Sequence, residues 1–362
     1  MSLKCGIIGL TSCGKTTLFN CVSNSKIDPE QNYGKSNLGQ INVPDDRLYK
    51  ISEYIKTEKI IHTTVDLVDI PGLSKGSGQA ESSSAKFLAE IQQTDALIHV
   101  IRCFDSQTVP HAEGSVNPIR DKEIVDLELC VRDLSLVERK IERMEKLIKV
   151  GNKEAKHTIE TLLKYKDHLE NFMPARTIDL SDEEKKAVAD IMLITSKPVI
   201  YVCNVDADSA KNGNSYSDSI VELAKAESAE VLIIAADLEA DIAMLDDPED
   251  RKEFLNDAGL TEPGVNRLVR AAYNILDLQS FFTAGPKEIR AWTIKKGTTA
   301  PQAAGVIHSD LERGFIRAEV MKYEDFITLK SEHACREAGK LYVEGKNYIV
   351  NDGDIIHIRF NV

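Results

Sequence analysis

Five short apolar runs recur through the first 235 residues, and stretches of helical periodicity lie between them. The runs occupy residues 4–9, 64–70, 96–102, 198–204 and 231–235. Segments such as residues 199–202 show no polar alternation, which is typical of strands buried on both faces of a parallel sheet. Strands that alternate with helices predict an α/β fold whose ligands bind at the carboxyl ends of the strands.

A different periodicity covers residues 121–172, where apolar positions return at steps of three, four and seven. They are Ile124, Leu127, Val131, Leu134, Ile141 and Ile148, then Ile159, Leu162, Leu169 and Phe172 after a break at Gly151-Asn152. The pattern predicts two long helices folded back as an antiparallel coiled-coil hairpin. Dense Lys and Glu content favours a solvated hairpin, and the alternative is that both helices pack on the sheet.

Beyond residue 278 the pattern changes to short strand-like runs separated by Gly and Asp turns. These runs occupy residues 288–294, 314–320, 348–350 and 355–360. Residues 301–307 are predicted to form a helix with Thr299 as its N-cap. This order of elements predicts a small mixed β-grasp module.

Composition narrows the class of protein. A chain of 362 residues, 42% hydrophobic and 28% charged, is expected to form two or three ordinary globular domains. A net charge of −13 disfavours broad nucleic-acid binding, so no direct DNA partner is expected. The sequence contains no apolar run of ~18 residues and no room for a signal peptide, so neither membrane contact nor secretion is expected. Seven scattered cysteines without a C-x-x-C pair predict a reducing, cytoplasmic setting.

The chemistry begins at residues 9–17, which read Gly-Leu-Thr-Ser-Cys-Gly-Lys-Thr-Thr between a predicted strand and a predicted helix. The spacing G-x-x-x-x-G-K-[ST] in that context predicts a phosphate-binding loop. Gly9 and Gly14 allow a backbone path that points successive N–H groups at one spot. Lys15 supplies charge to the phosphates during catalysis, and the Thr16 hydroxyl can ligate Mg²⁺. The predicted nucleotide-binding residues of the loop are Ser12, Cys13, Gly14, Lys15, Thr16 and Thr17.

A second motif, D-x-x-G, follows the strand at residues 64–70. In P-loop switch proteins its aspartate, here Asp69, holds Mg²⁺ and its glycine, here Gly72, senses the γ-phosphate. Leu73 stands where Ras-like proteins carry the glutamine that orients the attacking water, so another group must serve. His111, in a loop after the third strand, is predicted to be that group because a neutral imidazole can accept a hydrogen bond from water. The alternative is a surface histidine without a role.

The segment after the fourth strand carries the prediction of base specificity. GTPases recognise guanine with N-K-x-D, whose aspartate accepts two hydrogen bonds from the base. Here Asn204 is retained, but Val205 replaces the lysine and Ala207 replaces the aspartate. Because alanine cannot accept those bonds, ATP is favoured and GTP is the weaker alternative. Asp206 and Asp208 are each one residue out of register for this role.

Essentially the whole chain closely resembles the YchF / Obg-like ATPase family of P-loop proteins. The strings that carry the resemblance are residues 14–20, 86–89, 102–104, 117–120, 201–206, 282–285, 290–294, 300–308 and 313–320. The resemblance implies a P-loop G domain over residues 1–120 and 195–278, with a helical coiled-coil insertion over residues 121–194. It also implies a C-terminal TGS domain of ubiquitin-like β-grasp fold over residues 279–362.

The resemblance implies an activity as well: slow hydrolysis of ATP in preference to GTP, and association with the ribosome or its large subunit. Mg²⁺ would be held by Thr16 and Asp69, and His111 would replace the missing glutamine. The further nucleotide-binding residues that it implies are Phe104, Asn204, Val205, Ala235 and Ala236. The protein is expected to form no oligomer or only a weak one.

Both switch segments depart from the family pattern. The first, at residues 32–37, is shortened and lacks the Mg²⁺-binding threonine, so Ser36 is the nearest hydroxyl that can stand in. The second, at residues 78–85, carries Ser and Ala where the family is rich in Gly. Ser and Ala allow fewer backbone conformations than Gly does. We therefore predict an ATPase slower than its relatives. A non-hydrolysing ATP-binding scaffold and a conventional GTPase are the alternatives.

Overall fold

A computed structural model of the protein describes residues 4–23, 36–72, 87–149 and 154–361. The role of Leu73, the second switch, most of the first switch and the break at Gly151-Asn152 lie outside the described residues. The strands are β1 (Lys4–Ile8), β2 (Asn37–Asn42), β3 (Ile60–Ile61), β4 (Thr64–Asp69), β5 (Ala96–Arg102), β6 (Val199–Asn204), β7 (Glu230–Ile234), β8 (Leu278–Ala284), β9 (Ile289–Lys295), β10 (Phe315–Met321), β11 (Leu341–Glu344) and β12 (Ile355–Phe360). The helices are α1 (Lys15–Ser23), α2 (Arg47–Ser52), α3 (described over 87–92), α4 (Pro118–Lys149), α5 (Glu154–Glu170), α6 (Asp182–Ala187), α7 (Ser215–Glu227), α8 (Ala236–Met244), α9 (Pro248–Asp257), α10 (Gly264–Ile275), α11 (Ala300–Ile307), α12 (Ser309–Arg313), α13 (Tyr323–Leu329) and α14 (Glu332–Glu337).

The first of two compact units comprises Met1–Gly39 and Asp66–Leu268. Its six-stranded sheet has the order β2-β4-β1-β5-β6-β7, and the five strands from β4 to β7 pair in parallel. Every residue of β5 and β6 is buried, as the runs without polar alternation predicted. The α/β prediction is therefore confirmed, and the five predicted strands lie within one residue of their predicted bounds.

The parallel order brings four strand ends to one edge of this sheet. Ile8 ends β1, Asp69 ends β4, Arg102 ends β5 and Asn204 ends β6. Because the carboxyl ends of parallel strands meet at the same edge, residues far apart in sequence can form one ligand site there.

Helices α4 and α5 pack against each other, as the predicted hairpin requires. Their shared buried cluster contains Cys130, Val137, Leu162, Tyr165 and Leu169. The first turns of α4 instead pack on the sheet through Val125 and Leu129, so Leu127 and Val131 of the predicted stripe are exposed by 40% and 51%. Each alternative therefore holds for a different part of α4. Across the described residues, no helix combines the length and the apolar character needed to span a bilayer.

The second unit comprises Gln40–Val65 and Val269–Val362. Its mixed sheet has the order β11-β10-β12-β8-β9-β3, in which β8 and β9 form an antiparallel hairpin and β12 pairs in parallel with β8. The N-cap of α11 is Thr299, whose backbone N–H donates to the side chain of Gln302 at 2.9 Å. The alanines of α11 join the core of this sheet, and the β-grasp prediction is confirmed.

Two parts of the second unit differ from the prediction. The expected strand at residues 348–350 makes a single bridge, between Ile349 and Thr299, and β11 supplies an edge strand instead. Residues 40–65 contribute α2 and β3 to this unit, with Leu48 buried in its core. The predicted division into three domains did not anticipate this exchange, because elements of six and two residues are too short to show a periodicity.

A buried ionic cluster, defined here as Lys122, Asp126, Arg176, Tyr201 and Glu227, joins α4 to β6 and to the end of α7. The Glu227 carboxylate accepts hydrogen bonds from Tyr201 at 2.7 Å and from Arg176 at 3.0 Å. Lys122 donates to Glu227 at 2.5 Å and to Asp126 at 2.6 Å. Each charge has a partner of opposite sign, which offsets the cost of burying it.

His99 of β5 lies beside the ionic cluster, 2% exposed, with its ring centroid 5.8 Å from that of Tyr201. Burial, followed by the positive charges of Lys122 and Arg176, lowers the pKa of His99 to about 3. An unfolded histidine titrates near pH ~6.5, so below that pH the unfolded chain binds a proton that the folded chain does not. The titration of His99 therefore leaves the free energy of unfolding unchanged above pH ~6.5. Below that pH it lowers the free energy of unfolding, by at most ~1.4 kcal/mol per pH unit.

Substituting His99 tests this pH dependence. We expect His99→Gln to reduce the loss of unfolding free energy per pH unit between pH ~6.5 and pH ~4, measured by urea unfolding. The matched control is His333→Gln, whose side chain is 81% exposed and which should keep the wild-type slope. Equal slopes for the wild type and His99→Gln would contradict the expectation.

Candidate nucleotide-binding site

The phosphate loop connects β1 to α1 through residues with left-handed backbone angles. Gly9, Ser12 and Gly14 have φ values of 148°, 60° and 96°. A Cβ on Gly14 would lie 2.1 Å from Nδ2 of Asn204, so a larger residue does not fit at this position. The first N–H groups of α1 have no carbonyl partner within the helix and are therefore available to a phosphate.

Lys15, the first residue of α1, is only 7% exposed. Its Nζ donates to the carbonyl of Leu10 at 2.6 Å. A Cβ on Gly72 would lie 2.7 Å from this Nζ and 2.9 Å from the backbone N of Thr11. Glycine at position 72 therefore lets the chain after β4 approach the loop, and the predicted switch glycine contacts the predicted phosphate-binding lysine.

The two predicted Mg²⁺ ligands are adjacent, because Oγ1 of Thr16 donates to Oδ2 of Asp69 at 3.0 Å. Burial raises the pKa of Asp69, while the charge of Lys15 and hydrogen bonds from Thr16 and Asn37 act in the opposite direction. Within the described ranges, no group of three or more His, Cys, Asp or Glu side chains could hold a metal. A hydroxyl and a carboxylate fit Mg²⁺, which in nucleotide sites takes few protein oxygens and completes its shell with phosphates and waters.

Asn204 joins the phosphate loop to the end of β7. Its Nδ2 donates to the carbonyl of Cys13 at 3.0 Å, and its Oδ1 accepts from the backbone N–H of Ala236 at 2.9 Å. Ala235 and Ala236 are each 2% exposed at the start of α8. These predicted residues thus lie together, and the amide of Asn204 holds the wall of the site through main-chain contacts.

The segment after Asn204 uses its first carboxylate locally. Asp206 accepts a hydrogen bond from the backbone N–H of Ser209 at 2.9 Å and caps the short 3-10 turn Ala207–Ser209. Val205 is buried, while Asp208 is exposed. No carboxylate therefore stands at position 207, where N-K-x-D proteins carry the aspartate that binds guanine.

Phe104 follows β5 and is half-buried. The guanidinium carbon of Arg102 lies 4.4 Å from the centroid of the Phe104 ring, and Nε of Arg102 donates to the Phe104 carbonyl at 3.2 Å. Arg102 also reaches the carbonyl of Ser12 at 3.4 Å. The predicted base-side aromatic is therefore connected to the phosphate loop through an arginine.

His111 lies against the first turn of α4, with 7% of its side chain exposed. Its Nδ1 accepts the backbone N–H of Glu113 at 3.0 Å, and its Nε2 lies 2.8 Å from Oδ2 of Asp121. Because a backbone N–H can only donate, the ring proton lies on Nε2 and is donated to Asp121. Neither nitrogen can accept a hydrogen bond from water in this arrangement. The catalytic role of His111 stays a prediction, and it requires the ring to leave one of these partners.

The hydroxyl of Ser36 bonds to a residue other than the two predicted Mg²⁺ ligands. Its hydroxyl donates to Oε1 of Glu90 on α3 at 2.9 Å, whereas the neighbouring Asn37 bonds to Asp69. The use of Ser36 in place of the missing threonine therefore stays a prediction.

Three remaining loop residues differ in their surroundings. Ser12 is exposed and Thr17 is half-buried. Cys13 is 3% exposed, and burial raises the pKa of its thiol although the charge of Lys15 acts against the rise. This thiol is therefore protonated at neutral pH and not activated for redox chemistry.

Sequence reasoning missed the side chains that position these groups: Asn37 beside Asp69, Arg102 under the loop that carries His111, and Asp121 against the ring. Arg102 did leave a signal, since it is a charged residue at the end of an otherwise apolar strand. Its partners are main-chain carbonyls, which no sequence motif marks.

Comparison with known families covers most of the chain. Residues 4–205 match the family MMR_HSR1, described as 50S ribosome-binding GTPase. Residues 278–361 match the family YchF-GTPase_C, described as a protein of unknown function. The first match includes the phosphate loop and Asn204, and the second spans β8 to β12.

Known proteins are similar over the full length. A protein named ribosome-binding ATPase YchF from Escherichia coli O157:H7 is 46% identical over 366 aligned residues, which cover 100% of both chains. A protein of the same name from Bacillus subtilis strain 168 is 43% identical over 368 aligned residues, again with complete coverage. The solved structure of the Schizosaccharomyces pombe YchF GTPase has a TM-score of 0.87 at 32% identity, over 99% of this chain and 98% of that one.

Proposed function

The chain belongs to the YchF family, and from this premise we propose that it is a slow, Mg²⁺-dependent ATPase that acts as a nucleotide-driven switch on the ribosome. In this proposal the protein has one functional state with ATP bound and another after hydrolysis. The names of its relatives support both the nucleotide and the ribosomal partner. With a ribosomal partner, the location that we propose is the cytoplasm.

The phosphate loop supports the triphosphate part of the proposal. Lys15 brings a positive charge to the β and γ phosphates, and the first amides of α1 bind their oxygens. Thr16 and Asp69 would hold Mg²⁺, which would neutralise part of the phosphate charge. Gly72 brings a backbone amide towards the γ-phosphate, since it lies against Lys15.

The observation that carries the choice of ATP is the absence of a carboxylate at position 207, together with the local use of Asp206 as a cap. Guanine then loses the acceptor for its N1 and N2 hydrogens, whereas adenine has no such requirement. GTP should bind, but more weakly.

An ATP-binding scaffold without turnover is the second candidate, and the engagement of both nitrogens of His111 favours it. Single-turnover kinetics in the presence of Mg²⁺, with enzyme in excess over ATP, distinguish the ATPase from the scaffold. We expect slow phosphate release from ATP, slower than from a YchF relative with the full first switch. Intact ATP after prolonged incubation would support the scaffold, and faster cleavage of GTP would contradict the proposal.

Co-sedimentation with ribosomes tests the partner. We expect more protein in the ribosomal pellet with a non-hydrolysable ATP analogue than without nucleotide. Lys15→Met should lose this dependence on nucleotide because it lacks the charge that binds the phosphates. Equal pelleting of the wild type with and without the analogue would contradict a nucleotide-driven switch.

A further inference from the structure

Arg102 bonds to two loops at once. It is the last residue of β5 and is 3% exposed. One terminal nitrogen lies 3.4 Å from the carbonyl of Ser12 in the phosphate loop and 3.4 Å from that of Pro110. The other donates to the carbonyl of Val109 at 3.0 Å. The guanidinium therefore bridges the phosphate loop and the residues that directly precede His111.

The hydrogen bonds of this buried cation go to main-chain carbonyls. The guanidinium also lies over the ring of Phe104. Burial lowers the pKa of Arg102, and the negative charges of Asp105 and Asp121 act in the opposite direction. Burying a charge costs free energy, which the hydrogen bonds to the carbonyls of Ser12, Val109 and Pro110 offset in part. The guanidinium suits a bridge between two loops because it holds its donors in a rigid fork that a lysine lacks.

The two loop residues that Arg102 contacts, Val109 and Pro110, directly precede His111 in the chain. The ring of His111 is held by Asp121 and by the N–H of Glu113, and it lines a small cavity together with Thr11 of the phosphate loop. A shift of the loop at Val109 and Pro110 would therefore carry the histidine away from these two partners.

We propose that Arg102 is a positioning residue that transmits occupancy of the phosphate loop to His111. A nucleotide that moves the Ser12 carbonyl moves the guanidinium bonded to it, and with it the loop that carries the ring. The ring then exchanges its contacts with Asp121 and Glu113 for contacts near the phosphates. This inference rests on the proposed function, because it concerns how His111 reaches the nucleotide.

The direct test follows the ring nitrogens of His111 by NMR in the full chain labelled with ¹⁵N-histidine. The signals are assigned by their loss in His111→Gln. Without nucleotide, we expect the Nε2-protonated tautomer. Saturation with Mg²⁺ and a non-hydrolysable ATP analogue should shift both signals in the wild type and leave them nearly unshifted in Arg102→Lys and Arg102→Met. Arg267→Met is the matched control, since Arg267 also donates to a main-chain carbonyl, that of Ile233 at 2.8 Å, and should respond like the wild type.

Binding of the analogue is measured calorimetrically on the same samples. This measurement distinguishes failure of the proposed function from failure of this inference. Absence of binding to the wild type would contradict the proposed function and this inference with it. Binding without a response of His111 would overturn this inference alone, as would a wild-type response in Arg102→Lys. That variant keeps the charge and so serves if Arg102→Met does not fold.

Turnover provides a second readout. We expect Arg102→Lys to lower the single-turnover rate roughly 10- to 100-fold, because a misplaced catalytic group costs rate rather than binding. The affinity for ATP should stay within about threefold of the wild type. In a His111→Ala background, Arg102→Lys should cost little more. A full additional loss in that background would show that Arg102 acts independently of His111 and overturn the inference.

Discussion

Replacing Lys15 by methionine should lower ATP hydrolysis by at least ~100-fold and weaken ATP binding, because it removes a preorganised positive charge from a buried site. Methionine fills much of the same volume, so α1 and the loop keep their packing. The ammonium donates to the carbonyl of Leu10 at 2.6 Å and, weakly, to the sulfur of Cys13 at 3.9 Å, and it lies near Gly72. Its three N–H donors leave capacity for phosphate oxygens. Phosphate release and calorimetric titration with ATP measure the two effects.

Lys197→Met is the matched control. Lys197 is another partly buried lysine of the same unit, and it donates to the carbonyl of Ile91 at 2.6 Å at the start of β6, the opposite end of that strand from Asn204. The folded variant should hydrolyse ATP at the wild-type rate. Turnover of Lys15→Met within threefold of the wild type would contradict the assignment of the phosphate site.

Glu227→Ala should destabilise the protein by ~3–5 kcal/mol, the second large effect. The substitution leaves two buried cations, Lys122 and Arg176, with Asp126 as their shared carboxylate at 2.6 Å and 3.7 Å, and the uncompensated positive charge in a buried cluster is costly. It also removes the acceptor of the Tyr201 hydroxyl, which lies 2.7 Å away. Urea unfolding at neutral pH measures the loss.

Glu222→Ala on the same helix provides the comparison. Glu222 pairs with Lys225 on the surface, with side chains 72% and 66% exposed, so its removal should cost at most ~1 kcal/mol. A cost for Glu227→Ala as small as that of Glu222→Ala would show that the ionic cluster does not stabilise the fold.

Fold elements that bury long uniform faces could be predicted from the sequence, and short or mixed ones could not. β5 and β6 are buried throughout and mostly apolar, whereas β2 alternates between buried and exposed residues over Asn37–Asn42 and contains polar side chains. The exposed positions Leu127 and Val131 show the limit of periodicity, because α4 changes the surface against which it packs along its length.

The candidate site also has residues that the sequence predicts and contacts that it does not. Two motifs assign Lys15, Thr16 and Asp69 to one site, and in the structure Thr16 donates to Asp69 while the charge of Lys15 acts on the same carboxyl. The state of His111 could not be predicted, because it depends on Asp121 and on the backbone of Glu113. Such contacts arise from tertiary structure, which local sequence does not encode.

Calorimetric titration with ATP and with GTP, each with Mg²⁺, tests the central claim most directly. The claim is that a triphosphate binds at the junction of β1 and α1 in a pocket without a carboxylate at position 207. We expect the wild type to bind ATP more tightly than GTP, and Ala207→Asp to reduce this preference by restoring the acceptor for guanine. Tighter binding of GTP than of ATP by the wild type, or no binding of either, would contradict the account.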